Sequence, residues 1–244
     1  MTSLQLIPAV DLMNAKIVRL THGDPKTAKV YDQFGGPVKT AKKWQADGAG
    51  KIHIIDLDAA LGTGNNLSVI AEIVENIDLP IQVGGGIREV ETAEKLLKLG
   101  VSQVILGALA FSDPEAVTQI KREFGAGSVI VALDNKDGKI MVEGWKTTTG
   151  LGVKEALEKF AALGVKTFLV TSITRDGTLS GPDLDTLKEA CQYSGVAIIA
   201  AGGIGGLNDL RALKRVGVAG AVIGKALYEG RFTLKEALET IGGR

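Results

Sequence analysis

Short apolar runs rich in β-branched residues recur along the chain, and segments with helical periodicity lie between them. Most of the runs are apolar throughout rather than alternating, which is typical of parallel strands covered on both faces. They predict eight strands, at residues 4–10, 51–57, 79–83, 102–107, 128–133, 166–171, 196–201 and 219–224. The chain is therefore expected to form a parallel sheet whose connections lie outside it.

The segments between the runs carry apolar residues at helical spacing and end at recognisable stop signals. From Val90 onward, apolar residues recur at i, i+3, i+6 and i+7, and Gly100 ends the pattern. Asp113 and Pro114 suit the cap and the first residue of the next helix, which ends at Gly125. Similar helices are predicted at about 37–48, 67–77, 152–163, 183–193, 206–215 and 233–241.

Eight strands that are each followed by a helix match the count of a closed (β/α)8 barrel, the TIM barrel. An open, doubly wound sheet has the same local pattern, because periodicity does not show whether a sheet closes. Even spacing of the units and the lack of a linker favour the barrel. We therefore predict an α/β fold with one (β/α)8 domain over residues 1–244.

Three motifs recur in the same order in the two halves of the chain: VGGGI as AGGI, ILGALA as VIGKAL, and PAVD as VALD. Their offsets are 117, 117 and 123 residues, close to half of the 244-residue length. Such self-similarity is typical of a tandem duplication. The barrel is therefore predicted to consist of two similar half-barrels, at about 1–122 and 123–244.

Composition limits the classes of partner. Basic and acidic residues balance at 28 each, so nothing global favours nucleic acid or an anionic membrane. Cys191 is the only cysteine, and no apolar run approaches the roughly 20 residues that span a bilayer. The N-terminus enters a strand pattern without a basic segment and an apolar one, so we expect no signal peptide. We expect a cytoplasmic protein, a monomer that binds a small molecule.

Two carboxylates follow predicted strands at corresponding places in the two halves. Asp11 and Asp134 are each expected just past a strand end, where the loops of such a barrel form the catalytic mouth. The alternative is that each caps a loop or pairs with a lysine, but their matched positions favour catalysis. His22 and His53 are the only histidines, and no GxGxxG follows the first strand, so we expect no metal and no cofactor. Two carboxylates without a metal or a cofactor indicate general acid–base catalysis, for example of an isomerisation.

Glycine-rich turns follow two pairs of predicted strands. Such turns let backbone N–H groups approach an anion, although glycine also serves tight turns. Two facing phosphate sites across the mouth would suit a substrate with a phosphate at each end. The predicted phosphate-binding residues are Gly84, Gly85, Gly86 and Gly107 in the first half, and Gly202, Gly203, Gly224 and Lys225 in the second.

Several longer motifs, in order and spacing, resemble one family over about residues 4–240. It is the histidine-biosynthesis isomerase family that acts on phosphoribosylformimino-5-aminoimidazole carboxamide ribotide (ProFAR). The motifs are IPAVDLMNAKIVRLTHGD, IIDLDAALGTGNN, VGGGIR, ALDNKDG, EGW, TSITRDGTLSGPD, AAGGI and VIGKAL. The resemblance implies an Amadori rearrangement of an aminoaldose to an aminoketose on a substrate with two phosphates.

The resemblance also implies roles for individual residues. Asp11 would be the general base and Asp134 the general acid, with Asp176 in TRDGT as a rival for the acid. Thr171 would steady the reacting group or the carboxylate. For both carboxyls to act near neutral pH, one must stay protonated while the other ionises. We expect Asp11→Asn to lose turnover while binding survives.

Four further residues complete the predicted substrate-binding set. By resemblance, Trp145 in EGW is expected to act as a lid that stacks on the imidazole ring of the substrate. The alternative is that it anchors its loop on the barrel rim. Arg19 is expected either to hold a phosphate or carboxamide, or to be a solvated loop cation. Arg88 in VGGGIR and Gly181 in SGPD are included by their place in the family motifs.

Three other functions stay open. The cyclase subunit of imidazole glycerol phosphate synthase is similar but begins with a Cys-Leu-Asp run and lacks the EGW loop. A barrel that only binds phosphosugars, or docks on a partner, would not need both aspartates. Relatives with a second activity on phosphoribosylanthranilate tend to carry an arginine where this chain has Glu143. That difference makes native dual use doubtful.

Overall fold

The computed structural model of the protein, which describes residues 4–242, contains a closed barrel of eight parallel strands. Each strand pairs with the next, and the last pairs back on the first through Gln5↔Gly220 to Pro8↔Ile223. Closure excludes the open sheet, and the predicted barrel is confirmed. The barrel strands are β1 (Gln5–Met13), β4 (Ile52–Asp56), β5 (Ile81–Gly84), β6 (Gln103–Leu106), β7 (Val129–Lys136), β10 (Thr167–Ser172), β11 (Ala197–Ala201) and β12 (Gly220–Ile223).

All eight predicted helices are present, and they surround the barrel. The Asp113 side chain accepts from the backbone N–H groups of Glu115 and Ala116, so it caps its helix as predicted. The long helices are α1 (Pro37–Ala46), α3 (Leu67–Asn76), α4 (Val90–Lys98), α6 (Pro114–Phe124), α7 (Val153–Ala162), α8 (Leu184–Cys191), α9 (Leu207–Val216) and α11 (Leu234–Gly242). Three short helices follow barrel strands: α2 (Leu57–Leu61), α5 (Ala108–Ser112) and α10 (Lys225–Tyr228). Among residues 4–242 no helix is long and apolar enough to cross a membrane.

Two antiparallel hairpins rise from the rim, where the sequence predicted only loops. One follows the first barrel strand and the other follows the fifth. They consist of β2 (Lys16–Thr21) with β3 (Asp24–Val30), and of β8 (Lys139–Val142) with β9 (Thr147–Gly152). Because β2 and β8 pair back on β1 and β7, both barrel strands extend beyond their predicted ends at residues 10 and 133.

Asp11 and Asp134 therefore lie within strands rather than just past their ends, which corrects the prediction. Their direction follows from the alternation of side chains along a strand. On β7, Ile130 and Ala132 belong to the apolar cluster inside the barrel, whereas Leu133 packs in the outer layer against the helices. Asp134 continues the inner series, and Asp11 continues the inner series of β1 in the same way. Both carboxylates thus top columns of apolar side chains inside the barrel.

Candidate active site

The barrel opens at the C-terminal ends of its strands into a cavity of about 790 Å³. Ala9, Ala132, Leu169 and Val222 lie at its floor, where the apolar interior ends. Every predicted site residue except Gly181 lines this cavity. The topology thus brings together groups that are more than 200 residues apart in the chain.

Asp11 forms an ion pair with Arg19. Nη1 of Arg19 lies 2.6 Å from Oδ2 of Asp11, and only 11% and 14% of the two side chains are exposed. Burial raises the pKa of Asp11, and the charge of Arg19 opposes that rise. Arg19 is on β2, which turns back over the rim, so the solvated loop cation is excluded. Its Nε is buried and has no hydrogen-bond partner within residues 4–242.

Asp134 is held by neutral donors. Nε1 of Trp145, between β8 and β9, donates to Oδ2 of Asp134 at 2.8 Å. Thr171 is the register partner of Asp134 on the neighbouring barrel strand. Burial raises the pKa of Asp134, and hydrogen bonds from Trp145 and Thr171 lower it. Trp145 therefore reaches into the mouth and contacts a carboxylate, whereas stacking on a substrate ring stays a prediction.

Asp176 adds a third carboxyl to the same mouth, from the turn that follows β10. Burial raises its pKa to about 6, against the charge of Arg19, and the nearby Asp11 and Asp134 raise it further. An acid in that range exchanges a proton close to neutral pH. Burial thus raises the pKa of both Asp134 and Asp176.

Glycine pairs at the ends of β5 and β11 have matching conformations. Gly85 and Gly86 have φ of 97° and 68°, and Gly202 and Gly203 have φ of 90° and 84°. A Cβ atom at Gly86 would overlap the backbone of Ala59, so the chain approaches too closely for any other residue. These positions need glycine for their turns as well as for any anion.

Gly107 and Gly224 form a second matching pair, at the ends of β6 and β12. Their φ and ψ values are −97° and −106° for Gly107, and −109° and −101° for Gly224. A Cβ at Gly107 would meet nothing within 4 Å, whereas one at Gly224 would overlap the guanidinium of Arg19. Arg19 therefore lies between Asp11 and Gly224.

A profile of the histidine biosynthesis protein family matches residues 5–233. The chain belongs to this family. Relatives from Methanosphaera stadtmanae and Methanocaldococcus jannaschii are both 42% identical to it, over 96% and 97% of this chain and 98% of each relative. A relative from Cenarchaeum symbiosum is 40% identical over 96% of this chain and 99% of its own length. All three are named 1-(5-phosphoribosyl)-5-((5-phosphoribosylamino)methylideneamino) imidazole-4-carboxamide isomerase.

Within this family member, two predicted phosphate-binding cations also bind the chain itself. Arg88 donates to the carbonyl oxygens of Ala59 and Ala60, at 3.0 and 2.9 Å, and so caps α2. Nζ of Lys225 donates to the carbonyl of Gly177 at 2.7 Å. Both cations line the cavity, so they contribute positive charge beside the glycine turns.

Gly181 is the one predicted site residue that lies outside the cavity lining, and its place in the substrate-binding set stays a prediction. The N–H of Gly181 donates to the carbonyl of Gly203 at 2.9 Å, and a Cβ at Gly203 would overlap the carbonyl of Gly181. Gly181 thus supports the turn at Gly202 and Gly203 from behind.

Asp56 and Asp58 build the rim between α2 and the first hairpin. Asp56 caps α2 through Ala59 N–H and also accepts from Asn66. Asp58 accepts from the N–H of Asn14 at 2.6 Å, in the turn that joins β1 to β2. In the chain from 4 to 242, no three His, Cys, Asp or Glu side chains are grouped closely enough to hold a metal ion.

His53 is a cavity residue that the sequence analysis did not select. It is only 4% exposed, and it lies on β4 facing into the barrel. Burial, together with the charges of Arg19 and Lys51, lowers its pKa to about 3. His53 and Ile55 share the inner face of the strand, whereas Ile52 and Ile54 pack outward, so the two-residue period of a strand was the signal that could have placed it inside.

Proposed function

We propose that the chain is an aldose–ketose isomerase, an intramolecular oxidoreductase that converts ProFAR to its ribulosyl isomer in histidine biosynthesis. Relatives about 40% identical over nearly the full chain bear that isomerase name. The observation that carries the proposal is the placement of Asp11 and Asp134 in one cavity, between two sets of glycine turns. We propose that the two sets of turns belong to two similar half-barrels, at about 1–122 and 123–244, since their backbone angles match.

The cavity suits the proposed substrate in size and in charge. ProFAR has two phosphoribosyl groups, so its two phosphates lie at opposite ends of the molecule. A volume of about 790 Å³ falls in the range of small-molecule sites. Backbone N–H groups at the glycine turns, with Arg88 and Lys225 beside them, would bind one phosphate on each side. No cofactor is needed for this chemistry.

We propose the following proton transfers. A general acid gives a proton to the ribose ring oxygen, the C1′–O4′ bond breaks, and the nitrogen lone pair forms a protonated Schiff base. Asp11 then removes the proton from C2′, and that electron pair forms C1′=C2′ while nitrogen regains its pair. The resulting enamine takes a proton at C1′ and loses one from O2′, which gives the ketose and restores both side chains.

The partners of Asp11 and Asp134 fit these roles. Arg19 favours the ionised form of Asp11, as a base requires. We propose Asp134 as the acid, steadied by Thr171 and by the indole of Trp145. Asp176, with a pKa of about 6, is the rival. Separate Asp134→Asn and Asp176→Asn variants decide between them, because only loss of the acid abolishes the ring-opening step.

The test is turnover by the purified protein with ProFAR, followed by chromatography of substrate and product. We expect conversion, and we expect Asp11→Asn to lose kcat by orders of magnitude while titration calorimetry still detects binding. Binding without conversion in the wild-type protein would favour the phosphosugar-binding barrel instead. Formation of a cyclised product from the ribulosyl isomer and ammonia would favour the cyclase.

Phosphoribosylanthranilate is the second substrate to include in the turnover test. Glu143 lines the cavity, and its carboxylate would repel the carboxylate of the anthranilate ring. We therefore propose that kcat/KM strongly favours ProFAR.

Within residues 4–242 the exposed large apolar side chains, Val30, Leu61 and Leu184, are few and separate, which supports the proposed monomer. A cytoplasmic location, without nucleic acid or membrane partners, stays a prediction.

A further inference from the structure

A buried pair of polar side chains lies beneath the two aspartates. Nε2 of Gln82 is 2.8 Å from Nδ1 of His53, on adjacent barrel strands where the two residues are register partners. Gln82 is fully buried and His53 is 4% exposed. Polar groups are costly inside a barrel core, so the pair needs an explanation beyond packing.

The amide orientation determines which imidazole nitrogen carries the proton. With Nε2 of Gln82 towards the ring, Nδ1 of His53 accepts, and the imidazole proton is on its own Nε2. Oε1 of Gln82 is then the one buried polar atom of the pair without a partner among the described residues. The reverse orientation would bury two unpaired N–H donors, and unpaired donors are rarer in proteins than unpaired carbonyls.

The imidazole stays neutral in this environment. The guanidinium of Arg19 and the ammonium of Lys51 both oppose a positive charge on His53, and burial opposes it more strongly. Nε2 of His53 has no side-chain or backbone partner within residues 4–242, although the residue lines the cavity. A neutral N–H donor therefore lies at the floor of the site, without a hydrogen-bond partner among residues 4–242.

We propose that His53 donates this hydrogen bond to the substrate oxygen O2′, and that Gln82 is the positioning residue that fixes the required tautomer. Ala9 is the register partner of His53, and Asp11 follows Ala9 on the same inner face. His53 thus lies one layer below the proposed base, in the cavity where the substrate would bind. A neutral donor there stabilises O2′ as it becomes a carbonyl and does not protonate Asp11.

The identity of the oxygen rests on the proposed isomerase function, but the tautomer does not. The protein has only two histidines, so ¹⁵N-histidine labelling gives two rings, and His22→Gln assigns them. Long-range proton–nitrogen spectra distinguish the two neutral tautomers and the imidazolium. We expect the Nε2–H form of His53 from pH 5 to 8. An Nδ1–H form, or protonation within that range, would overturn the inference in the wild-type protein itself.

Two variants of Gln82 link the tautomer to catalysis. Gln82→Glu places an acceptor against Nδ1 and should move the proton there, whereas Gln82→Met removes the partner and should mix the tautomers. We expect kcat to fall by about tenfold or more in Gln82→Glu and by less in Gln82→Met, with KM changed by less than about threefold. Gln103→Met is the matched control, since Gln103 is the neighbouring amide on β6 but binds Lys51 and lies outside the cavity lining.

The outcomes separate the two proposals. If wild-type protein does not convert ProFAR, the proposed function fails, while the spectra still decide the tautomer. If Gln82→Glu moves the proton to Nδ1 and kcat is unchanged, the role of His53 is wrong and the isomerase stands. If Gln103→Met lowers kcat as much as the Gln82 variants do, the loss is structural and the positioning role is wrong.

Discussion

Nη1 of Arg19 lies 2.6 Å from Oδ2 of Asp11, and this pair spans the tight turn between the first two strands. The turn brings the two residues together because β2 pairs back on β1, with Leu12 opposite Ile17. Asn14 and Ala15 in the turn both have positive φ, as a two-residue hairpin of this kind requires. A buried carboxylate thus has its own cation, supplied from eight residues further along the chain.

Replacing Arg19 by Met should move the pH dependence of the enzyme. Arg19 opposes the rise in the pKa of Asp11 that burial causes, so its loss raises that pKa further. A base must be ionised, and the acid limb of kcat/KM should therefore shift to higher pH, by about one unit or more. Lys29→Met is the control, because Lys29 lies on the same hairpin and pairs with Glu229 at the surface. An unchanged acid limb in Arg19→Met would exclude Asp11 as the titrating base.

The barrel was predictable because each of its strands is an apolar run between helical segments, and local pattern is sufficient for that. The two rim hairpins were not. All seven residues of β3 are exposed, so no apolar face marks them as a strand. The exposed hairpin strands are held by hydrogen bonds to neighbouring strands rather than by burial, and such strands have weak sequence signals.

Within the site, the aspartates and glycines were predictable because strand ends and repeated motifs locate them. Contacts between elements were not. The indole of Trp145 meets Asp134 only after the second hairpin folds over the barrel, and Gln82 meets His53 only through the register of two neighbouring strands. Lys225 is a further example, since its bond to Gly177 joins the last barrel unit to the loop after β10.

The paired glycines Gly107 and Gly224 allow a matched test of the glycine turn that follows β12. Both have the same backbone conformation, but only at Gly224 would a Cβ overlap Arg19. We expect Gly224→Ala to displace Arg19 from Asp11 and lower kcat by about tenfold or more, with an upward shift of the acid limb. Gly107→Ala should raise KM, because the new methyl group occupies the proposed phosphate site, and leave the acid limb in place. Equal effects of the two changes on the pH profile would contradict this account.

Trp145 should report ligand binding by fluorescence. The chain has two tryptophans, and Trp44 is buried in the core, only 2% exposed. If substrate displaces the indole from Asp134, Trp145 emission changes on binding. Trp44→Phe should keep this response and Trp145→Phe should abolish it. Trp145→Phe also removes the donor to Asp134, which raises the pKa of that carboxyl. A response that survives in Trp145→Phe would come from Trp44 and would mean that Trp145 is not the reporter of binding.

Asp176 should destabilise the folded protein above pH 6. Its folded-state pKa of about 6 exceeds the ordinary value of 3.8, so the folded protein retains a proton that the unfolded chain has lost. Stability therefore falls as pH rises from about 4 to 6, and the deficit is complete above that range. We expect Asp176→Asn to raise the free energy of unfolding at pH 8 by about 1–3 kcal/mol, and to change it little at pH 4. Denaturant titration at both pH values measures this, with the exposed Asp78→Asn as control. A gain of equal size at pH 4 would point to packing rather than charge.

Gly23 should set the position of the Trp145 ring over the mouth. It lies in the turn between β2 and β3, with φ of 66°, and a Cβ there would come within 2.6 Å of two ring carbons of Trp145. Gly23→Ala therefore has to move the indole away from Asp134, and we expect KM for ProFAR to rise severalfold. Left-handed backbone strain alone costs about 1–2 kcal/mol for a non-glycine residue. Gly138→Ala carries the same strain at φ of 78° with nothing within 4 Å, so it should lower stability similarly and leave KM unchanged. If both variants raise KM alike, strain in the hairpins explains the effect, and the contact between the first hairpin and Trp145 has no part in substrate binding.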